Sequence, residues 1–187
     1  MSKKHPVIAI TGSSGAGTST VKNAFNHLFE RVGAKPVVIE GDSFHRYDRD
    51  EMKRVMEKKE KIGNRYFSHF GPEANLFDEL EKTFKEYGEK GHCKRRYYIH
   101  TDEEGDPFGK KAGEFTPWED VGRNSDLLFY EGLHGGVKDG SIDVAKYVDL
   151  LIGVVPVVNL EWIQKIHRDK EQRGYSAEAT VDTIHRR

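Results

Sequence analysis

Gly12-Ser13-Ser14-Gly15-Ala16-Gly17-Thr18-Ser19-Thr20 stands between an apolar run and an amphipathic one. Glycines at this spacing let backbone N–H groups converge on phosphate oxygens, and a helix starting there adds the positive end of its dipole. Ser19 falls where the phosphate-loop pattern has the hydroxyl that coordinates magnesium. One departure matters: the pattern has lysine where this chain has Thr18. A phosphate cradle without that lysine either does no catalysis or takes its point charge from elsewhere in the chain.

A source of charge lies between Asn159 and Arg173. Lys165, Asp169 and Arg173 are spaced i, i+4 and i+8, and Arg168 follows Lys165 by three, so all four share one side of a helix. Three cations and a carboxylate could clamp a transferring phosphoryl group. A solvated face laced with ion pairs is the plainer reading of a charged helix, and Thr18 tips the balance towards the clamp. Two carboxylates close apolar runs, Asp42 after Val37-Val38-Ile39 and Glu131 after Leu127-Leu128-Phe129-Tyr130. Glu131 suits a metal ligand of Walker-B type, and Asp42 a general base that takes a proton from a substrate hydroxyl. Either alone fits a cap or a turn as well; together with the phosphate loop they favour function. His45, Arg46 and Arg49 form a cationic group suited to a substrate phosphate, with exposed helix-start side chains as the equal alternative. His100 and His134 lie near the ends of apolar runs on the same side. The nine histidines show no zinc-type spacing.

These residues need a scaffold that brings strand ends and a helix start together. Short apolar runs at Pro6–Thr11, Val37–Ile39, Tyr97–Ile99, Leu127–Tyr130 and Val148–Val155 read as strands. Helical periodicity covers Ser19–Val32, Asp48–Ile62, Pro72–Tyr87, Asn159–Arg173 and Ser176–Arg187. Val21, Ala24, Phe25, Leu28, Phe29 and Val32 share a face of the first helix, and Leu76, Phe77, Leu80 and Phe84 a face of the third. Thr101 to Gly113 reads as a polar, mobile loop. The alternation implies an α/β fold with a mostly parallel sheet flanked by helices, whose ligands bind at the carboxyl ends of strands.

Composition narrows the partners. Lys plus Arg number 30 against 31 Asp plus Glu, so the chain lacks the basic excess that nucleic acid binding needs. No stretch approaches a membrane span, no secretory leader opens the chain, and a lone Cys93 allows no internal disulfide. A cytoplasmic protein is the expectation.

The segments GSSGAGTST, IEGDSFHRYDR, SHFGPEAN, GEFTPW, LLFYEGLHGG and GVVPVVNLEWIQKIHRDKEQRG resemble, in sequence and order, the phosphoribulokinases of bacterial form. In that family the phosphate loop itself carries threonine at this position. The resemblance implies a P-loop NTPase-type fold with a helical lid, and ATP- and magnesium-dependent phosphorylation of ribulose 5-phosphate to ribulose 1,5-bisphosphate in Calvin cycle carbon fixation. It implies Asp42 as catalytic base, Glu131 as magnesium-site acid, and Asp169 as a second essential acid. Lys165 and Arg168 become transition-state cations, and His45, Arg49 and Arg173 sugar-phosphate contacts, to which His100 is added on position. Arg31 and Arg187 match positions tied to an allosteric nucleotide. A homo-oligomer activated by NADH and inhibited by AMP is also implied, whereas the cysteine-pair switch of the plant type is not available to a chain with Cys93 alone. Because the family continues past this C-terminus, residues 1–187 are expected to be a single kinase domain lacking a C-terminal part. A uridine-kinase-like nucleoside kinase shares this pattern but keeps the loop lysine, and a non-catalytic nucleotide-binding module accounts for Thr18 without needing Lys165.

Overall fold

The computed structural model describes residues 4–185. In chain order the elements are β1 (Val7–Gly12), α1 (Thr18–Val32), β2 (Pro36–Glu40), α2 (Arg49–Lys61), α3 (Phe77–Lys90), β3 (Cys93–Arg95), α4 (Asp102–Gly105), β4 (Glu119–Val121), β5 (Leu127–Gly132), β6 (Lys138–Asp139), β7 (Ile142–Asp143), β8 (Leu150–Val154), α5 (Val158–Arg173) and α6 (Ala177–His185). The main sheet runs β2-β5-β1-β8, with all three pairings parallel. Strands covered on both faces read as continuous apolar runs rather than alternating ones. That is the pattern of VIAIT in β1 and LLFY in β5, where Leu127 to Tyr130 are all buried.

Strand alternation divides these side chains between two layers. Val7, Ala9, Val37, Ile39, Leu128 and Tyr130 meet Leu80, Phe84 and Tyr87 of α3. Ile10, Leu127 and Phe129 turn the other way onto Phe25 and Phe29 of α1. The α1 stripe is therefore narrower than its periodicity suggests: Phe29 is buried, but Leu28 and Val32 are exposed. The α3 stripe is buried at Phe77, Leu80 and Phe84, as expected.

Three sequence expectations are corrected. Tyr97–Ile99 joins no strand of the main sheet: it makes a single antiparallel bridge, Tyr98 to Phe115, while the strand forms earlier, at Cys93–Arg95, against β4. Its backbone groups are taken by the loop opposite, with Thr116 N–H donating to the Tyr97 carbonyl and Ile99 N–H to the Glu114 carbonyl. The Thr101–Gly113 stretch is not an open loop. Thr101 caps α4, a 3-10 turn follows at Asp106–Phe108, and Asp102 accepts from Ala112 N–H at 2.8 Å. Pro72–Tyr87 likewise divides into a 3-10 turn at Pro72–Ala74, an extended Asn75, and α3. Among the described residues no helix is long and apolar enough to cross a membrane. Cys93 is buried, which pushes its thiol pKa up to about 12 and leaves it unreactive in the folded protein.

The carboxyl ends of β2 and β5 approach so closely that only glycine fits between them. A Cβ on Gly41 would stand 2.6 Å from the Tyr130 hydroxyl and 2.9 Å from Gly132 Cα. Gly41→Ala is expected to destabilise the fold by about 1–3 kcal/mol, read as a lower urea midpoint at unchanged slope.

Candidate active site

β1, β2 and β5 point their carboxyl ends into one cleft of about 1680 Å³. The loop after β1 is held open by Gly15 and Gly17, both left-handed at φ 98° and 95°, a conformation that glycine adopts without strain. Gly17 caps α1 with no side-chain hydrogen bond, and the first turn of the helix carries no acidic residue. The amides and dipole at this end are thus arranged for an anion. The Ser19 hydroxyl residue and Glu131 line the same cleft.

Helix α5 packs against this loop and brings its charged residues to it. A Cβ at Gly15 would lie 3.1 Å from both the Glu161 carbonyl oxygen and Lys165 Cβ, so the helix rests on the loop. Lys165 and Asp169 are almost completely buried there and pair at 2.7 Å. Arg168 bonds Asp169 at 2.8 Å and donates to Ser14 Oγ at 3.0 Å, while Arg173 lies 3.6 Å from Asp169. Burial works against a charge on Asp169, but the hydrogen bonds from Lys165 and Arg168 outweigh it and hold its carboxyl below the ordinary value.

Asp42 lies in the 3-10 turn Gly41–Phe44 after β2. Protein packs around it, yet 49% of its side-chain surface faces the cleft. His45 Nε2 lies 3.3 Å from one carboxylate oxygen and His100 Nε2 3.7 Å from the other. Desolvation opposes its charge, but the His45 hydrogen bond and the fields of His45, His100 and Arg173 prevail and hold the carboxyl far below the usual range.

The cleft therefore gathers Gly12, Ser13, Ser14, Gly15, Thr18 and Ser19 of the loop with Asp42, His45, Arg49, His100, Glu131 and the α5 charges Lys165, Arg168, Asp169 and Arg173. Arg49 sits at the start of α2, fixed by an Asp48–Glu51 capping box, and donates to the His100 carbonyl at 3.2 Å. Ala16 is buried behind the loop and Thr20 is exposed on α1. Other expectations divide: His134 lines the cleft, whereas Arg46 does not. Arg46 turns to the carbonyls of Glu73 and Asn75. The His134 ring bonds the Phe70 carbonyl at 2.9 Å and packs edge-on against Phe77. Arg31 is exposed in the last turn of α1, about 18 Å along the helix from the loop. Arg187 lies outside the described residues.

Three site residues had escaped notice. Lys22 reaches Glu40 at 2.7 Å; burial lowers its pKa, but Glu40 and Glu131 raise it more. Glu40 and Glu131 are partners in register across β2 and β5, so Lys22 offsets two neighbouring carboxylates. Its place one turn beyond Ser19, on the same helix face, was a usable signal. Arg96 gave none: KRRYY reads as surface charge. In the fold its guanidinium lies over Phe115 at 3.8 Å and Trp118 at 4.7 Å and donates to the carbonyls of Ser43 and His45, each at 2.7 Å. Those bonds hold the far end of the turn that carries Asp42.

Comparison with known proteins bears on the same residues. The phosphoribulokinase / uridine kinase family matches residues 7–187. The chromosomal phosphoribulokinase of Cupriavidus necator is 62% identical over the whole of this chain, and the phosphoribulokinase of Nitrobacter vulgaris 56%. A solved phosphoribulokinase from Rhodobacter spheroides superposes with a TM-score of 0.85 at 52% identity, covering all of this chain. The chain spans 64% of the length of the two curated relatives and 63% of the solved one.

Asp169→Asn removes the counter-charge of a buried ammonium. It is expected to cost about 3–5 kcal/mol in urea unfolding at neutral pH. Because the carboxyl is more acidic when folded, that contribution is present above its ordinary pKa near 4 and lost as pH falls through the folded value. The gap between wild type and variant should therefore close in acid.

Proposed function

The chain belongs to the phosphoribulokinase / uridine kinase family, and on that premise we propose that it transfers the γ-phosphoryl group of ATP to the C1 hydroxyl of ribulose 5-phosphate. The product is ribulose 1,5-bisphosphate, the carbon-fixation substrate of the Calvin cycle. The observation that carries this reading is the meeting, in one cleft, of a lysine-free phosphate loop, the buried Lys165–Asp169 pair and the cation-ringed Asp42. The 62% identity to a phosphoribulokinase supports the acceptor.

The roles follow from position. Loop amides and the start of α1 hold the ATP phosphates, and Lys165 with Arg168 supplies the charge that Thr18 cannot. The C1 oxygen attacks the γ-phosphorus, the bond to the β–γ bridging oxygen breaks, and Asp42 accepts the hydroxyl proton. The His45 hydrogen bond, with the His100 and Arg173 side chains nearby, favours the ionised Asp42, so it meets the hydroxyl as an acceptor. His45, Arg49, His100 and Arg173 grip the sugar phosphate. Ser19 and Glu131 suit magnesium: among the described residues no three His, Cys, Asp or Glu side chains cluster as a metal cage, and magnesium completes its shell with phosphate oxygens and water. When bound, the ion neutralises charge on the β- and γ-phosphates. We extend the reading to a cytoplasmic homo-oligomer with NADH and AMP as effectors, Arg31 and Arg187 among their contacts.

ADP release is the test, with Mg-ATP and ribulose 5-phosphate, uridine or no acceptor. Release with the sugar phosphate alone is expected; release with uridine would reassign the chain to the nucleoside kinases. Asp42→Ala should cut turnover by about 10²–10⁴-fold with ATP binding retained, and unchanged turnover would remove Asp42 from the mechanism. The same assay with NADH or AMP added checks the effectors, and the mass in solution checks the assembly.

We also propose that α5 and α6 act as a lid over the nucleotide. An ATP analogue should then slow proteolytic cleavage within residues 158–185. Identical cleavage with and without it would sink the idea.

A further inference from the structure

His45 has a second partner on the side away from Asp42. Its Nδ1 lies 3.0 Å from Oδ1 of Asn75, a residue only 2% exposed. The orientation of that amide is forced. Asn75 Nδ2 donates to the carbonyl of His69 at 2.9 Å and of Gly71 at 2.7 Å. Two carbonyl oxygens can be met only by N–H, so Oδ1 must be the atom that faces His45. An acceptor there requires a donor opposite, which puts a proton on Nδ1. The remaining nitrogen, Nε2, faces Asp42 Oδ1 at 3.3 Å. A bare Nε2 would set a lone pair against a carboxylate.

We propose that Asn75 is a positioning residue for the Asp42–His45 pair: it locks the proton on Nδ1, so that Nε2 also carries one whenever Asp42 is a carboxylate. His45 then stands as a cation toward both the base and an incoming substrate phosphate. The other groups facing the pair are few. His100 and Arg173 act on Asp42, and the fields of Asp42 and Glu131 both reach Tyr130. His69 and Tyr98 meet the His45 ring edge-on, each at 6.0 Å, and His134 lies in its field. Asn75 is hydrogen-bonded to Nδ1. The extended backbone of Asn75 between its 3-10 turn and α3, bridged to His45, holds the amide in place.

The location of the protons needs no turnover. In protein labelled with ¹⁵N-histidine, the His45 ring signals are identified by their loss in His45→Gln. Both nitrogens are expected to carry a proton while Asp42 is a carboxylate. In Asp42→Asn the Nδ1 proton should remain and the Nε2 proton should go. In Asn75→Ala, where the Asp42 carboxylate remains, the Nε2 proton should stay and the hold on Nδ1 should be lost. A wild-type ring with a bare Nδ1, or one averaging between tautomers, would falsify the proposal, and these spectra decide it even if Asn75→Ala does not fold. The kinetic consequence rests on the kinase reading. There Asn75→Ala should lower kcat/KM for the sugar phosphate about 10- to 100-fold and displace its pH profile, with KM for ATP unchanged. A uniform loss at every pH would mean a merely structural role. If no sugar phosphate is turned over at all, the kinase reading fails while the spectra still judge Asn75.

Discussion

A single buried carboxylate organises the phosphate side of this cleft. Asp169 takes Lys165 on one oxygen and Arg168 on the other, with Arg173 close by. Burying charge is costly unless it is paired and hydrogen-bonded, and here each charge makes the next one tolerable. Arg168, turned by this contact, reaches Ser14 in the loop. Gly15 has no side chain to hold the helix away. The cradle and its cations are therefore one packed unit, although 150 residues separate Gly15 from Lys165 along the chain.

The acceptor side is built on the opposite principle. Asp42 is open to the cleft, and what fixes it is the turn beneath it. Gly41 passes against Tyr130, and Arg96 holds the carbonyls of Ser43 and His45. Burial lowers the pKa of Arg96 to about 10, still far above neutral pH, so it remains a guanidinium and keeps both charge-assisted bonds. Arg173 joins the two halves, since it lies beside Asp169 and its field also reaches Asp42. The charges around the loop and around Asp42 are thus not independent.

Sequence legibility followed how local each signal is. The phosphate loop, the strand-end carboxylates and the charges of α5 are set by spacing within one element, and all were readable. The main-sheet strands were readable because parallel strands buried on two faces leave continuous apolar runs. Tyr97–Ile99 misled for the same reason in reverse: three apolar-looking residues cover a loop that carries its own short hydrogen-bond ladder. Arg96 and Asn75 were illegible because each reaches across the fold, Arg96 to carbonyls 53 and 51 residues away and Asn75 to a histidine ring 30 residues away, with no sequence signature for either contact. Glu40 was overlooked beside Asp42, although strand register alone pairs it with Glu131.

A lysine built into a phosphate loop stays with the loop whatever else moves. In this chain Lys165, Arg168 and Arg173 all ride on one helix, so a displacement of α5 would withdraw every one of them together. On the proposed kinase reading, their grip on a polyphosphate would depend on a single mechanical coordinate, the seating of that helix on Gly15. On that reading such an arrangement would couple retention to closure: the shift that unseats α5 would take its three cations from the cradle together and leave Lys22 of α1 in place.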